Sequence, residues 1–384
     1  MKKRKIVKKI MLTILVVIVL ATIGITLFVS YAPQFGQTPK GEHLAKIKLS
    51  ENYKDDGFVN LTKTSMEMSF GNTMTTLKEF VTAKNTKPEK LLPVKFEKQS
   101  TEPVNDSAAF VTWFGHSAIL LEIEGKRIMI DPMFGPYASP VSFFSKRFAY
   151  EEPIDISSFT NIDAVIISHD HYDHLDHSSI LQLKKNVKHF FVPLGVGSHL
   201  QFWGVDKAKI TELDWWQTAT LDNLRLTAAP ARHFSGRGVR DRDKTLWASW
   251  VVKGKYNNIY FSGDSGYGPH FKKIGEKYGP FDFTMIECGQ YNEKWAQIHM
   301  MPEESYRANI DLRGKTMMPI HWGAFPLAVH TWRDPVERLL KAATDSSVVA
   351  HPYIGKRFEI HHQQNAIRWW EETVEYTTLT LELK

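Results

Sequence analysis

Cysteine is nearly absent. The 384-residue chain has one, Cys288, so no intrachain disulfide can form, and a location outside the reducing cytosol is permitted but not signalled. Acidic residues are missing from the first thirty positions, where Lys2, Lys3, Arg4, Lys5, Lys8 and Lys9 stand. With 48 basic and 42 acidic residues in all, those six account for the formal charge of +6 and leave the remainder neutral. A neutral folded domain argues against a nucleic-acid partner, because affinity for a phosphate backbone needs a positive surface. Internal repeats and low-complexity tracts are also lacking, and 43% hydrophobic content suits a globular protein with a sizeable core.

What is present begins with an apolar run. Residues 10–29 are apolar apart from three threonines and a glycine, and as a helix they would span about 30 Å, the thickness of a bilayer core. Basic residues precede the run and none follows directly, so the positive-inside rule puts residues 1–9 in the cytoplasm and the rest outside. The expectation is a single-pass membrane protein with its catalytic domain on the extracytoplasmic side. A cleaved signal peptide competes, but its apolar region is usually about 7 to 15 residues long. Residues 30–105 read as a stalk and an arm without chemistry of their own, 106–360 as the catalytic domain and 361–384 as a C-terminal extension.

From residue 108 the pattern turns to period-two and buried runs. Strands are expected at 109–114, 119–123, 127–131, 162–167, 224–229, 246–252, 258–262, 281–287 and 316–320. Helices are expected at 178–184, 199–203, 271–278, 303–312 and 335–343. The strand at 162–167 leads straight into Ser168-His169-Asp170-His171-Tyr172-Asp173-His174-Leu175-Asp176, a loop crowded with imidazoles and carboxylates. Such donors at His-x-His-x-Asp-His spacing ask for one or two divalent transition metals. One loop cannot complete two coordination shells. His233, Asp264 and His321 each follow a predicted strand, where loops of an α/β sandwich converge, and are the candidates for the rest. His116, His199, His330 and His351 read as structural. Asp131 and Asp176 read as carboxylates that orient ligand imidazoles. Trp295, Trp322, Phe325, Trp332, Trp369 and Trp370 read as core or as walls of an acyl-chain groove, with core the default.

Several stretches carry a resemblance: Trp113-Phe114-Gly115-His116, Asp131-Pro132, Ile166-Ile167-Ser168-His169, Glu212-Leu213-Asp214-Trp215-Trp216, Leu246-Trp247-Ala248-Ser249-Trp250 and Ile320-His321-Trp322-Gly323. Between about residues 112 and 325 the chain resembles the metallo-β-lactamase superfamily, and within it the N-acylphosphatidylethanolamine-hydrolysing phospholipase D family. The resemblance implies an α/β fold, an αβ/βα four-layer sandwich with an N-terminal transmembrane helix added. It implies two divalent metal ions, one on His169, His171 and His233, the other on Asp173, His174 and His321, with Asp264 between them. Zinc is favoured by the imidazole-rich set, and manganese or iron is compatible with it. His299 falls where the family has a histidine near the substrate phosphate, so Asp173 and His299 are the candidate catalytic residues. Ile298 and Met301 depart from the family pattern beside it.

The function expected is a membrane-anchored phosphodiesterase of phospholipase D type, acting on N-acylphosphatidylethanolamine or related phospholipids through a metal-bridging hydroxide. The alternatives are a lactonase or phosphoesterase for a soluble, sugar-phosphate-like substrate, and a noncatalytic metal-binding envelope protein.

Overall fold

The computed structural model describes residues 2–66, 69–97, 107–362 and 367–372. Helix α1, Lys2–Tyr31, contains the expected apolar run. By length and composition it can cross a membrane, and its apolar side chains stand exposed. The Thr22 and Thr26 hydroxyls donate to the carbonyls of Ile18 and Thr22 on their own helix, which hides two polar groups from an apolar surrounding.

A strap follows: α2 (Gly41–Ile47), a small ribbon of β1 (Tyr53–Lys54) and β2 (Gly57–Phe58), and α3 (Phe70–Thr82). Polar contacts fasten it along its length to the body. His43 meets Glu212, Ser50 and Asn52 donate to Asp214, and Asn60 exchanges two hydrogen bonds with the backbone of His233.

Two mixed sheets form the body. The first runs β15 (Arg357–Glu359), β3 (Ala109–Trp113), β4 (Ile119–Ile123), β5 (Lys126–Ile130), β6 (Ile162–Ile166), β7 (Val187–Pro193) and β8 (Ile210–Leu213). Pairing is antiparallel from β15 to β5 and parallel from β5 to β8. The second runs β14 (Gly314–Ile320), β13 (Phe281–Glu287), β12 (Asn258–Phe261), β11 (Ser249–Lys253), β10 (Leu224–Ala229) and β9 (Thr218–Leu221). There β14, β13 and β12 are parallel and the rest antiparallel.

Strand alternation explains the layers. Strand β4 sends Ile119, Leu121 and Ile123 into the core between the sheets and Leu120 to the other side. There α4 (His177–Leu183) and α5 (Gly197–Phe202) cover it with Ile180, Leu183 and Leu200. The second sheet's outer face carries α6 (His270–Tyr278), α7 (Pro302–Leu312) and α8 (Asp334–Ala342). The result is the expected four-layer sandwich. The strand expected from residue 246 begins at Ser249, because Leu246 and Ala248 donate their N–H groups to Leu194 and Ser168 in loops of the first sheet.

Of the extension expected over 361–384, residues 363–366 and 373–384 lie outside the described residues. Trp369 and Trp370 are fully buried, with Trp369 stacked on Trp322 at 5.3 Å, so this part belongs to the core. Trp332 packs against Phe148, and Phe325 lies under Arg147.

Candidate metal centre

The loops leaving the C-terminal ends of β5, β6, β10, β12, β13 and β14 meet at one place, the usual location of sites in sheets with parallel strands. Asp131 directly follows β5 and organises the His-rich loop that follows β6. Its carboxylate accepts the Ser168 N–H at 2.7 Å and the Ser168 hydroxyl at 2.5 Å, and lies 2.7 Å from His174 Nδ1. The expected orienting role of Asp131 therefore has its geometry. Asp176 differs from expectation: its carboxylate caps α4 by accepting from Ser178 and Ser179. A short acidic side chain directly before a helix finds the open N–H groups there first.

All seven sequence-chosen donors come together. His169 Nε2 lies 2.9 Å from His171 Nδ1, which is 3.1 Å from His233 Nε2. Asp264 Oδ2 is 3.1 Å from His321 Nε2, 3.2 Å from His174 Nε2, 3.7 Å from His169 and 3.8 Å from His233. Asp173 Oδ2 faces His321 at 3.2 Å and His174 at 3.5 Å. The donors divide into His169, His171, His233 and Asp264 on one side and Asp173, His174 and His321 on the other, with His116 added to the second group.

Several features suit divalent cations. Nitrogens of three imidazoles converge where at most one proton fits between each pair. Among the described residues, His174 Nε2 and Asp264 Oδ1 are buried without a hydrogen-bond partner. Burial pulls His169 and His233 well below the ordinary imidazole range, which keeps them neutral and able to ligate. Burial acts on His321 too, but Asp264 and Asp173 outweigh it and push the imidazole up to about 10. His174 is raised for the same reason. The two carboxylates thus bring more negative charge than neutral imidazoles balance, and protons or metal cations can supply the difference.

Backbone and side-chain partners orient the ring nitrogens that face away from the cluster. The Ile298 carbonyl lies 2.9 Å from His233 Nδ1, so the residue that departs from the family pattern contributes through its backbone. Three participants escaped the sequence reading. His116, set aside as structural, has Nε2 2.9 Å from Asp173. Asn60 sits in the arm expected to carry no chemistry. Glu287, the last residue of β13, is fully buried and bonds His299 Nδ1 at 2.8 Å and the Met300 N–H at 2.8 Å. Their signal was weak: His116 follows a predicted strand end as His233 does, and Glu287 closes a strand that is uncharged from Phe283 to Ile286.

His299 borders the cluster, its ring 5.0 Å from that of His233 and 5.1 Å from that of His321. Glu287 occupies Nδ1, which leaves Nε2 for the groove above. Met66, Phe80, Phe234, Trp295, Ile298 and Leu327 wall that groove. Of the six aromatic residues weighed in the sequence, Trp295 is the one in this wall. Asp170 is buried against His199, Thr245 and the Gly236 N–H, and both it and His199 are structural.

Residues 126–322 match the family model described as beta-lactamase superfamily domain. The chain belongs to the metallo-β-lactamase superfamily. It is 41% identical over 326 residues to an uncharacterized protein of Mycobacterium tuberculosis, covering 84% of this chain and 87% of that one. It is 33% identical over 258 residues to N-acyl-phosphatidylethanolamine-hydrolyzing phospholipase D 1 of Caenorhabditis elegans, covering 63% and 72%. Among solved structures it is similar to Igni18, a metallo hydrolase of Ignicoccus hospitalis, with a TM-score of 0.51 at 22% identity over 66% of this chain and 98% of that one. This last likeness is one of fold. As a member of the metallo-β-lactamase superfamily, the chain is a metal-dependent hydrolase with His and Asp clusters suited to divalent ions.

Proposed function

We propose that the chain is a membrane-anchored phosphodiesterase of phospholipase D type, acting on N-acylphosphatidylethanolamine or a related phospholipid. The observation that carries this reading is the pair of His and Asp clusters on the floor of a groove walled by Met66, Phe80, Phe234, Trp295, Ile298 and Leu327. The phospholipase D relative supports it. His169, His171 and His233 would hold one divalent cation and Asp173, His174 and His321 the other, with Asp264 shared. Two such ions supply a water acidified towards a pKa of about 7 and a counter-charge for a phosphoryl oxygen. Zinc suits the imidazole-rich set, and manganese or iron suits it as well.

The chain's own residues do the rest. Glu287 accepts the His299 Nδ1 proton, which fixes the tautomer and presents Nε2 to a phosphate oxygen. Asp173 and Asp264 give the floor a negative charge that protons on His321 and His174 balance until cations arrive. The apolar wall gives acyl chains a surface that excludes water. Helix α1 anchors the enzyme, with its basic start in the cytoplasm and the domain outside.

The test uses the metal-loaded full chain, vesicles containing N-acylphosphatidylethanolamine and a soluble phosphodiester, each with and without chelator. Release of phosphatidic acid that stops on chelation is expected. If a fully loaded enzyme turns over neither substrate, the reading fails. His321→Ala is expected to lose one metal equivalent and nearly all hydrolysis; two tightly held ions in that variant, by elemental analysis, would refute the assignment.

A further inference from the structure

The foot of α1 is clamped to the metal-site loop. Phe28 in its last turns stacks edge-on to Phe35 at 5.5 Å, and Phe35 to Tyr172 at 6.3 Å; Tyr172 lies between His171 and Asp173. Buried Arg237 ties the same point from below. Its guanidinium donates to the Gln34 carbonyl at 2.7 and 3.0 Å, to the carbonyls of Asp170 and Leu175 inside the His-rich loop, and lies 4.2 Å from the Tyr172 ring. A charged group buried with this many acceptors leaves little room for the anchor to swivel.

Two loops flank this foot, and each is bound both to it and to the site. Residues 136–147 form a closed loop, with Ala138 donating to the Ser145 carbonyl and Arg147 to that of Pro136. Gln34 Nε2 donates to its Pro140 carbonyl at 2.9 Å, and Arg147 at its base stacks on Phe325, itself 5.4 Å from His116. Residues 235–243 begin beside Phe234, which meets His171 edge-on at 4.5 Å, and Asp241 closes the loop by accepting from Arg237 and Gly238. At the tips stand Phe143, 88% exposed, Phe144, 56%, and Val239, 82%. Exposed Lys146, Arg240 and Arg242 stand close to those tips in sequence. Large apolar side chains held out on rigid loops next to basic ones match a bilayer interface, where apolar tips enter lipid and cations meet anionic headgroups.

We propose that these two loops seat the mouth of the metal centre on the bilayer, with Phe143, Phe144 and Val239 in the lipid and Lys146, Arg240 and Arg242 at anionic headgroups. The inference rests on α1 being an anchor and adds that the anchor fixes orientation as well as proximity.

The test uses the full chain in vesicles of phosphatidylcholine and phosphatidylglycerol. Phe143→Cys, Val239→Cys and Tyr256→Cys are labelled with an environment-sensitive fluorophore; native Cys288 is buried, and unlabelled parent chain verifies that it does not react. Tyr256 lies in the turn between β11 and β12, at the end of the sheet away from the site. Spin-labelled lipid is expected to quench labels at 143 and 239 several-fold and leave 256 to aqueous iodide. If the chain stays on the vesicles and iodide alone quenches all three, the seating is wrong and the anchor stands. If the chain leaves the vesicles, the anchor reading fails and takes the seating with it. Phe143→Asp with Phe144→Asp is expected to slow hydrolysis of vesicle lipid about tenfold with a soluble phosphodiester unaffected; equal losses on both overturn the proposal.

Discussion

Glu287 is the residue that most changes how the site reads. A carboxylate fully inside a protein is costly unless its oxygens are bonded, and here one takes the Met300 N–H while the other meets His299. Burial raises its pKa against the pull of His299. Glu287→Gln retains shape but loses the charge. It is expected to lower turnover about tenfold, a usual cost for losing an orienting partner, with metal content intact and the pH profile shifted. An unchanged profile with unchanged turnover would make Glu287 a packing residue only. His116→Ala, in contrast, is expected to act through Asp173, weakening one of two metal equivalents by roughly 10- to 100-fold in a chelator competition; equal release of both ions would contradict that. The donors chosen from sequence were visible because their types and their strand-end positions coincide. His116, Asn60 and Glu287 were not, because a lone residue reveals its partner only after distant strands are brought together.

At the level of elements, most of the body was readable, because buried parallel strands are continuous apolar runs and helices show their own period. Helix α7 shows how local rules bend. Met301 precedes it without an N-cap oxygen, and the Glu304 carboxylate reaches back to accept the Met301 N–H at 3.0 Å, supplying the return half of a capping box. The arm at 30–105 was legible only in pieces, since what it fastens to, through polar contacts and through Ile47, Phe58, Leu92 and Val94 in the core, lies far along the chain. Helix α6 carries a pH liability. Burial, helped by Arg232, holds His270 at about 3, and its Nε2 bonds the Ser265 hydroxyl beside Asp264. The folded value lies below the unfolded one, so the stability it contributes is complete above pH 6.5 and is lost on acidification towards 3, by up to about 1.4 kcal/mol per unit. Denaturant melts of parent and His270→Gln are expected to diverge in slope as pH falls below 6.5. Parallel curves would show that His270 takes up its proton without unfolding.

For the whole molecule, charge at the centre couples metal, proton and fold. Without cations, Asp264 and Asp173 keep His321 protonated up to about 10, above its unfolded value. That stabilising proton is fully present below pH 6.5 and is lost as pH rises through 10. Apo protein should therefore weaken from this source across the window from 6.5 to 10. Metal binding runs the other way: the cation held by Asp173, His174 and His321 must displace protons from those two imidazoles, so its affinity rises with pH by up to about tenfold per unit per proton released. Ligation to the folded state stabilises it in proportion to the logarithm of that affinity. The gap in melting temperature between zinc-loaded and chelated full chain should accordingly widen from pH 6.5 to 9. Calorimetric titrations in buffers of different ionisation enthalpy should register proton release that persists over the same range and shrinks as pH passes about 10. A gap that narrows with pH would mean that the protons held by His321 and His174 are not the ones the metal replaces, and that the carboxylates bind cations without help from these two rings.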